Sequence, residues 1–526
     1  MTTLADYRDE RLKKLEEIKR RGIDPYPAKS YRDTKIKNIL DNFDTLKEQT
    51  VTIAGRITAI RSFGKLAFIK VRDYTGEIQI FMRTKTDTPV AENNKDANPL
   101  FTIKDLRLLD TGDFIEATGT VDKTQTGEIS VFANEVRLLT KTLRPLPGRD
   151  GFSNKESRYR RHYVDMNVNP EVRERMVRRS KFWQATRDFM NSHGFIEINT
   201  PILEHTTGGA DANPFVTHMD ALDEDFYLRI SHELPLKRLL GAGFEKVYDI
   251  GPRFRNEGVD DEHLPEHVAF ESYAAYENYE DGMELYEEMI KYVAKETWGT
   301  LEFHVGDFDI NLDQKWPRIK YADLLKEKYD IDIFNPDREK MIKILLENTD
   351  EPRAKYEALS DSRLLDNIWK LIRKTSAGPY WLIEEPLSLS PLAKTVPENP
   401  LVTQRFHPII AGTEMGNGYS ELNDPLDQLA RFKEQQAMRD AGDNEAQMLD
   451  MDFVEMLEYG MPPACGWGNS ERNFWLLEGV SGREGVPFPL IKREKPLTDT
   501  ENQPTNTKSQ SIGTKNQPDN TNGATS

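Results

Sequence analysis

From Thr50 to Leu139 apolar and polar residues alternate in five short runs, VTIAGRITAI, LAFIKVRD, GEIQIFM, DFIEATGTV and GEISVFANEVRLL, with Gly76 and Gly127 at turns between them. A period of two gives each strand one apolar face. Five such strands predict a small Greek-key barrel of the OB type, and on spacing alone other barrels fit as well. Before them, residues 3–21 place Leu4, Leu12, Leu15 and Ile18 at helical spacing and stop at Gly22 and Pro25. This predicts a charged helix, either docked or, as is commoner for such patterns, solvated. After them KTLRPLPGRDGF, with two prolines and two glycines, reads as a linker. The period then changes: Val172, Met176, Trp183 and Met190 share one face of a helix over 171–193, which runs into GFIEINTPIL. Pro201 puts that strand at an edge or an interface. Strands are predicted at FYLRI, KVYDIG, HVAFESYAAY, HPIIAG and Cys465 to Leu477, and helices at 280–296, 321–329, 337–348, 361–375 and 425–441. Strands and helices do not alternate strictly, which points to an antiparallel-rich α+β domain. The expected organisation is a helical extension (1–48), the barrel (49–142), a hinge (143–170), the α+β domain (171–495) and a disordered tail (496–526) with too few apolar residues for a core.

The chain holds no apolar run of 18 residues, and its first 22 residues mix both charge signs, so neither a membrane span nor a secretory signal is expected. Cys465 is the sole cysteine, which excludes an intramolecular disulfide and a multi-cysteine zinc site and suits the reducing cytoplasm. A net charge of −18 argues at first against a nucleic-acid partner. The charge is uneven, however. Residues 1–150 carry 27 Lys and Arg against 23 Asp and Glu, and the stretch Lys155–Lys181 adds Arg158, Arg160, Arg161, Arg173, Arg175, Arg178 and Arg179. Any nucleic-acid footprint is expected there.

Three segments carry the candidate chemistry. In RFRNEGVDDEHLPEHVAFESYAAY, Arg253 and Arg255 are suited to bridging phosphoryl oxygens. On the strand HVAFESY, His267, Ala269, Glu271 and Tyr273 share one face, a ring, an anion and a hydroxyl in a row. The bland reading is a surface hairpin with scattered ion pairs. In AGTEMGNGYSELND, Glu414 and Glu421 are carboxylates in a Gly-interrupted strand, a setting for Mg²⁺ held jointly with phosphate. Their spacing gives them opposite parity, so a bulge near Gly416 and Gly418 is required to bring both into one pocket. In CGWGNSERNFWLL, Arg472 sits at a strand-to-helix change behind two glycines.

Taken in order, these segments resemble the three signature motifs of the class II aminoacyl-tRNA synthetases, and over roughly residues 5–495 the lysine-specific branch. FRNEG (254–258) resembles the second motif and GFIEINTPIL the first, which forms the dimer interface in that family. LTKTLRPLP, TTGGADANPF and NGYSELNDPLDQLARF are also similar to the lysyl type. The resemblance implies ATP-dependent activation of L-lysine, transfer to tRNA(Lys), Mg²⁺, a cytoplasmic homodimer and no membrane partner. It implies that Arg255 holds the α-phosphate and the lysine carboxylate with Asn417, that Glu257 reads the adenine and His267 stacks on it, and that His263 and Arg472 meet the outer phosphates. Arg255 and Arg472 are then the catalytic pair. Gly209 and Glu233 would take the α-amino group and Glu271, Glu421 and Tyr273 the ε-ammonium; two carboxylates in a partly dry pocket select a terminal cation, because a neutral side chain would leave them unpaired. Glu414 and Glu421 are the implied metal ligands. On the barrel, Phe68 would stack an anticodon base, with Arg61, Gln79 and Glu135 as polar contacts.

Two positions depart from the pattern. The third motif is one residue short, Gly466, Gly468, Ser470, Glu471 and Arg472 standing where Gly-x-Gly-x-Gly-x-Asp-Arg is usual, and His407 replaces a metal-binding Glu. The competing readings are a synthetase for asparagine or aspartate, whose anionic or neutral side chain suits Glu271 and Glu421 poorly, a protein-modifying paralogue, which would lack the barrel, and a non-catalytic tRNA-binding protein of the same fold.

Overall fold

The computed structural model describes residues 4–84, 99–148, 152–210, 212–261, 263–442 and 446–492. The expected disordered tail lies outside these residues. All five alternating runs are strands: β1 (Thr50–Phe63), β2 (Leu66–Arg72), β3 (Glu77–Arg83), β4 (Phe114–Lys123) and β5 (Ile129–Thr140). They close into a barrel in the order β1-β2-β3-β5-β4, with β3 and β5 parallel and the other pairs antiparallel. Its interior is the apolar half of the alternation, including Ile53, Ile69, Ile80, Val121 and Leu138, all fully buried. Closure removes the exposed edges that a five-stranded sheet would otherwise present.

The N-terminal helix, α1 (Leu4–Arg20), is docked rather than solvated. Leu15 and Ile18 are buried, and Arg11, read as part of the polar face, is buried too: its guanidinium donates to the Thr111 carbonyl (2.9 Å) and to Thr142 Oγ1 (2.6 Å). Lys14 and Arg21 pair with Asp110 (2.7 Å) and Asp105 (2.5 Å). The periodicity hid this docking because much of the contact is ionic.

The second region is built on a mixed sheet whose main path is β6 (Ile196–Glu197), β7 (Lys246–Phe254), β8 (Glu266–Ala275), β9 (Arg318–Lys320), β10 (Tyr380–Ile383), β11 (Arg405–Ile410), β12 (Asn417–Ser420) and β13 (Ala464–Ser470). The spatial order is β9-β10-β11-β12-β13-β8-β7-β6, and the short strand Thr413–Glu414 folds back on β11. The six inner strands are antiparallel and the two edge strands pair parallel, as the α+β reading requires. Pro201 falls just beyond β6, at the sheet edge. Helix α2 (Pro170–Ser192) buries Val172, Phe182, Trp183, Phe189 and Met190 against the sheet, together with α4 (Tyr279–Trp298). The five predicted helices form within a few residues of their expected ends. Helix α3 (Glu233–Gly241) was not foreseen, nor were the helix Met451–Tyr459 and several shorter ones. Among the described residues no helix is long and apolar enough to cross a membrane.

Candidate active site

On β8 the side chains of Glu271 and Tyr273 share a face, with the Tyr273 hydroxyl donating to Glu271 (3.1 Å), while Phe270 and Ala274 point into the core on the other side. Three antiparallel neighbours, β8, β13 and β12, form the floor of a cavity of about 330 Å³. The surviving glycines of the third motif make that floor possible. A Cβ at Gly466 would collide with the Tyr273 ring and with Glu421, and one at Gly468 would lie 2.7 Å from Glu271 Cγ. The register pairs Tyr273 with Gly466, Glu271 with Gly468 and Ala269 with Ser470. The missing third glycine falls where the chain is leaving the sheet, so the shortened motif still delivers Arg472 to the cavity. Gly209, at φ +83°, is held to glycine by close approach: a Cβ there would stand 2.7 Å from Glu233 Cβ.

One end of the cavity is anionic. Glu271 is buried and accepts from Ser231 Oγ (2.8 Å) and the His232 amide (3.1 Å). Burial alone would raise its carboxyl; His232, Arg253 and Ser231 outweigh burial and bring it down to about 2. Glu233 accepts from the Tyr419 hydroxyl and from Lys237 Nζ, one helical turn away on α3. Lys237, fully buried, also pairs with Glu421. Burial would lower the Lys237 ammonium, but Glu233 and Glu421 hold it above its usual range. Sequence reading gave Lys237 no role. Its signal was the i, i+4 spacing from Glu233 in ELPLKRLLG, masked by Pro235 inside the helix.

The other end is cationic. Arg253, Arg255 and Arg472 line both the main cavity and an adjoining one of about 130 Å³, which also holds Glu257, His263 and His267. Arg253 Nε donates to His267 Nε2 (2.8 Å), and the other ring nitrogen faces the Leu264 carbonyl (3.2 Å). Burial, then Arg253 and Arg255, push the His267 ring well below its usual range, so it is a neutral ring at neutral pH. Arg253 itself is pushed down to about 9, by burial and then by Arg255. His263 is exposed and its Nδ1 sits 2.9 Å from Asp260; Glu257 is exposed. Asn417 lines the main cavity and accepts from Arg405 Nε (2.8 Å).

The two carboxylates expected to hold a metal have different partners. Glu414 lines the cavity, taking a hydrogen bond from Trp369 Nε1 (2.7 Å) with Arg373 at 3.4 Å. Glu421 is buried and pairs with Lys237; the short strand of Glu414 ends before β12, and the two carboxylates meet different partners. His407 lines the same cavity: its Nε2 stands 3.1 Å from Glu385, and its Nδ1 3.2 Å from the Gly416 carbonyl and 3.9 Å from Glu414. Burial would raise the Glu385 carboxyl, yet Arg405 and His407 bring it down to about 2. Among the described residues no group of three His, Cys, Asp or Glu forms a cage for a metal. Of the two carboxylates, Glu414 is the one that lines the cavity, where a hard cation could be shared with phosphate oxygens.

On the barrel, Phe68 is half-buried in a row of rings on the outer face: Phe63 to Phe68 6.2 Å, Phe68 to Phe81 5.2 Å, Phe81 to Phe132 4.9 Å between centroids. Phe81 and Phe132 were not foreseen as part of it. Arg61 is paired with Phe68 across β1 and β2 and is exposed. The β4–β5 register skips at Asn134, which puts Glu135 on the outer face although Val131 and Val136 both point inward. Gln79 is buried and donates to Ser130 Oγ (3.0 Å), so its amide is already engaged. The basic stretch Lys155–Lys181 is largely spent on internal ion pairs: Arg158 with Asp165, Arg160 with Glu156, Arg175 and Arg178 with Glu478, and Arg179 with Glu471.

Comparison with known proteins agrees with both halves. Residues 154–492 match the family model of class II tRNA synthetases (D, K and N), and residues 51–139 match that of the OB-fold nucleic acid binding domain. The lysine–tRNA ligase of Thermotoga maritima is 41% identical over 502 residues, 94% of this chain and 97% of its own length. Those of Thermosipho africanus and Carboxydothermus hydrogenoformans are 40% and 42% identical, covering 93% and 92% of this chain and 96% and 97% of their own lengths. The cavity, the barrel and this end-to-end similarity lead to one conclusion: the chain belongs to the lysine–tRNA ligase family of class II aminoacyl-tRNA synthetases.

Proposed function

We propose that the bipolar cavity is where this lysine–tRNA ligase joins L-lysine to ATP before charging tRNA(Lys). The observation that carries this reading is the distribution of charge along one cavity, with the carboxylates of Glu233 and Glu271 at one end, Arg255 and Arg472 at the other, and Arg253 between them, 3.7 Å from Glu271 and hydrogen-bonded to His267. Lysine carries two ammonium groups and ATP a triphosphate, and each end suits one of them. Glu233, beside Gly209, takes the α-ammonium. Glu271 and Tyr273 take the ε-ammonium over Glu421, which lies beneath the floor with Lys237 as its partner. Arg255 with Asn417 orients the lysine carboxylate for in-line attack on the α-phosphorus. Arg253, Arg255 and Arg472 offset the charge that develops as pyrophosphate leaves, and neutral His267 offers a ring face to the adenine beside Glu257. Neither this step nor acyl transfer to the terminal adenosine needs a side-chain nucleophile, so positioning supplies most of the acceleration. Where Mg²⁺ binds, Glu414 would share it with the outer phosphates, with the ion adding charge neutralisation there. The aromatic row around Phe68, with Arg61 and Glu135, is the anticodon face.

The same reading includes a cytoplasmic homodimer. Exposed Ile196, Ile202, Leu203 and Val216 around the first-motif segment supply the apolar surface a dimer would bury. The deciding experiment is exchange of labelled pyrophosphate into ATP. Exchange is expected with lysine and not with asparagine or aspartate. Silence with every amino acid from folded protein would overturn the reading in favour of a non-catalytic tRNA binder.

A further inference from the structure

Arg56 on β1 and Arg72 on β2 are direct cross-strand partners, an arrangement that costs stability because like charges face each other. Both line a second cavity, of about 550 Å³, where the barrel meets α2, and Arg32 and Arg173 line it with them. Among the described residues no ion pair neutralises Arg56, Arg72 or Arg173, yet each is held in place. Arg56 lies 4.2 Å over the Phe114 ring and donates to the Gly112 carbonyl (3.0 Å), Arg72 donates to the Asn167 carbonyl (2.8 Å), and Arg173 stands over the Tyr74 ring. Asp73 is the carboxylate among the lining residues, and it is committed to the amides of Ile36, Thr75 and Gly76, with Arg32 3.8 Å away. Asp113, the nearest help for Arg56, is itself paired with Lys141 (2.7 Å). Burial, then Arg72, lowers the Arg56 guanidinium despite Asp113. Preset, uncompensated guanidinium groups around a cavity are the arrangement that receives a phosphate by paired hydrogen bonds.

We propose that this cavity is a phosphate-binding site, separate from the aminoacylation cavity, in which Arg56, Arg72 and Arg173 hold one phosphodiester of an RNA backbone or one end of a free polyphosphate. Its RNA source rests on the tRNA-charging reading; its free-anion source does not. Arg173 is the member of the basic stretch that this cavity keeps facing an open space while its neighbours are spent on ion pairs.

The test uses the full chain with Arg56→Gln, Arg173→Gln and the double variant. In one arm tRNA(Lys) binding is followed against salt; an RNA phosphate here predicts a roughly tenfold loss in the double variant and a log–log salt slope shallower by about one. In the second arm inorganic tripolyphosphate is titrated calorimetrically in the presence of saturating lysine and a non-hydrolysable ATP analogue; a free-anion site predicts heat with the parent chain and none with Arg56→Gln. Lysine-dependent pyrophosphate exchange without tRNA is expected to be unchanged in all variants. Unchanged binding in both arms would overturn the proposal. Absent exchange in the parent chain would remove the tRNA-charging reading while the tripolyphosphate arm still decides the cavity. If Arg56→Gln does not fold, Arg56→Lys, which keeps the charge and loses the paired geometry, is expected to weaken both arms less than Arg173→Gln combined with it.

Discussion

The anionic end of the main cavity, where we place lysine, and the outer face of the barrel are both organised in advance, by opposite means. At the anionic end, Glu233, Glu271 and Glu421 are buried and the fold supplies their partners: Lys237 between two of them, and the Ser231 hydroxyl, the His232 amide and Arg253 around the third. On the barrel the prepared groups are rings already in contact with one another and open to solvent, with Arg61 exposed beside them. The difference teaches where each site stores its specificity. A buried charge is costly unless partnered, so the anionic end is tied to the stability of the fold. Rings on a barrel surface, tilted or edge-on to one another, cost little, and such a face suits any base with a π face.

The comparison breaks hardest at Lys237. Lys237→Met leaves Glu233 and Glu421 without their cation, and loss of one partner from a buried pair costs about 3–5 kcal/mol. Denaturant unfolding is expected to show that loss, and lysine-dependent exchange to fall with it; Lys237→Met combined with Glu421→Gln should recover part of the stability. Full stability in Lys237→Met would mean that the pocket is not charge-compensated. Arg255→Ala, at the other end, removes a donor aimed at developing charge and is expected to lower kcat/KM for exchange by about 10²–10³-fold, with little change in unfolding midpoint.

A third outcome concerns a buried carboxyl oxygen with no hydrogen-bond partner, Glu204 Oε2. Burial raises the Glu204 carboxyl from its usual 4.5 to about 8 despite Arg229 and Arg238. The folded chain keeps a proton there that the unfolded chain has released, so this contribution to stability is full below pH 4.5 and is lost as pH rises toward 8. Melting temperature measured from pH 5 to 8.5 should therefore carry a decline that Glu204→Gln flattens; equal slopes for the two chains would show that Glu204 is ionised in the fold. The smallest effect is expected on the barrel. Phe68→Ala should weaken tRNA(Lys) binding by about 1–3 kcal/mol and leave exchange without tRNA unaltered. A loss of exchange in that variant would mean that the barrel face is structural.

Alternation and helical spacing by themselves determined the five barrel strands, the antiparallel-rich sheet and the main helices, because each element buries one face and burial imposes its period on the sequence. The same logic put Glu271 and Tyr273 side by side before any fold was known. Charge partnership has no such period. That Arg11 docks the first helix, that Arg178 and Arg179 are spent on Glu478 and Glu471, and that Glu421 pairs with Lys237 depends on segments far apart in the chain meeting in space. Only the tertiary structure decides which of many possible ion pairs the buried, low-dielectric positions select, because there an unpaired charge is too costly to leave and a wrong partner cannot reach.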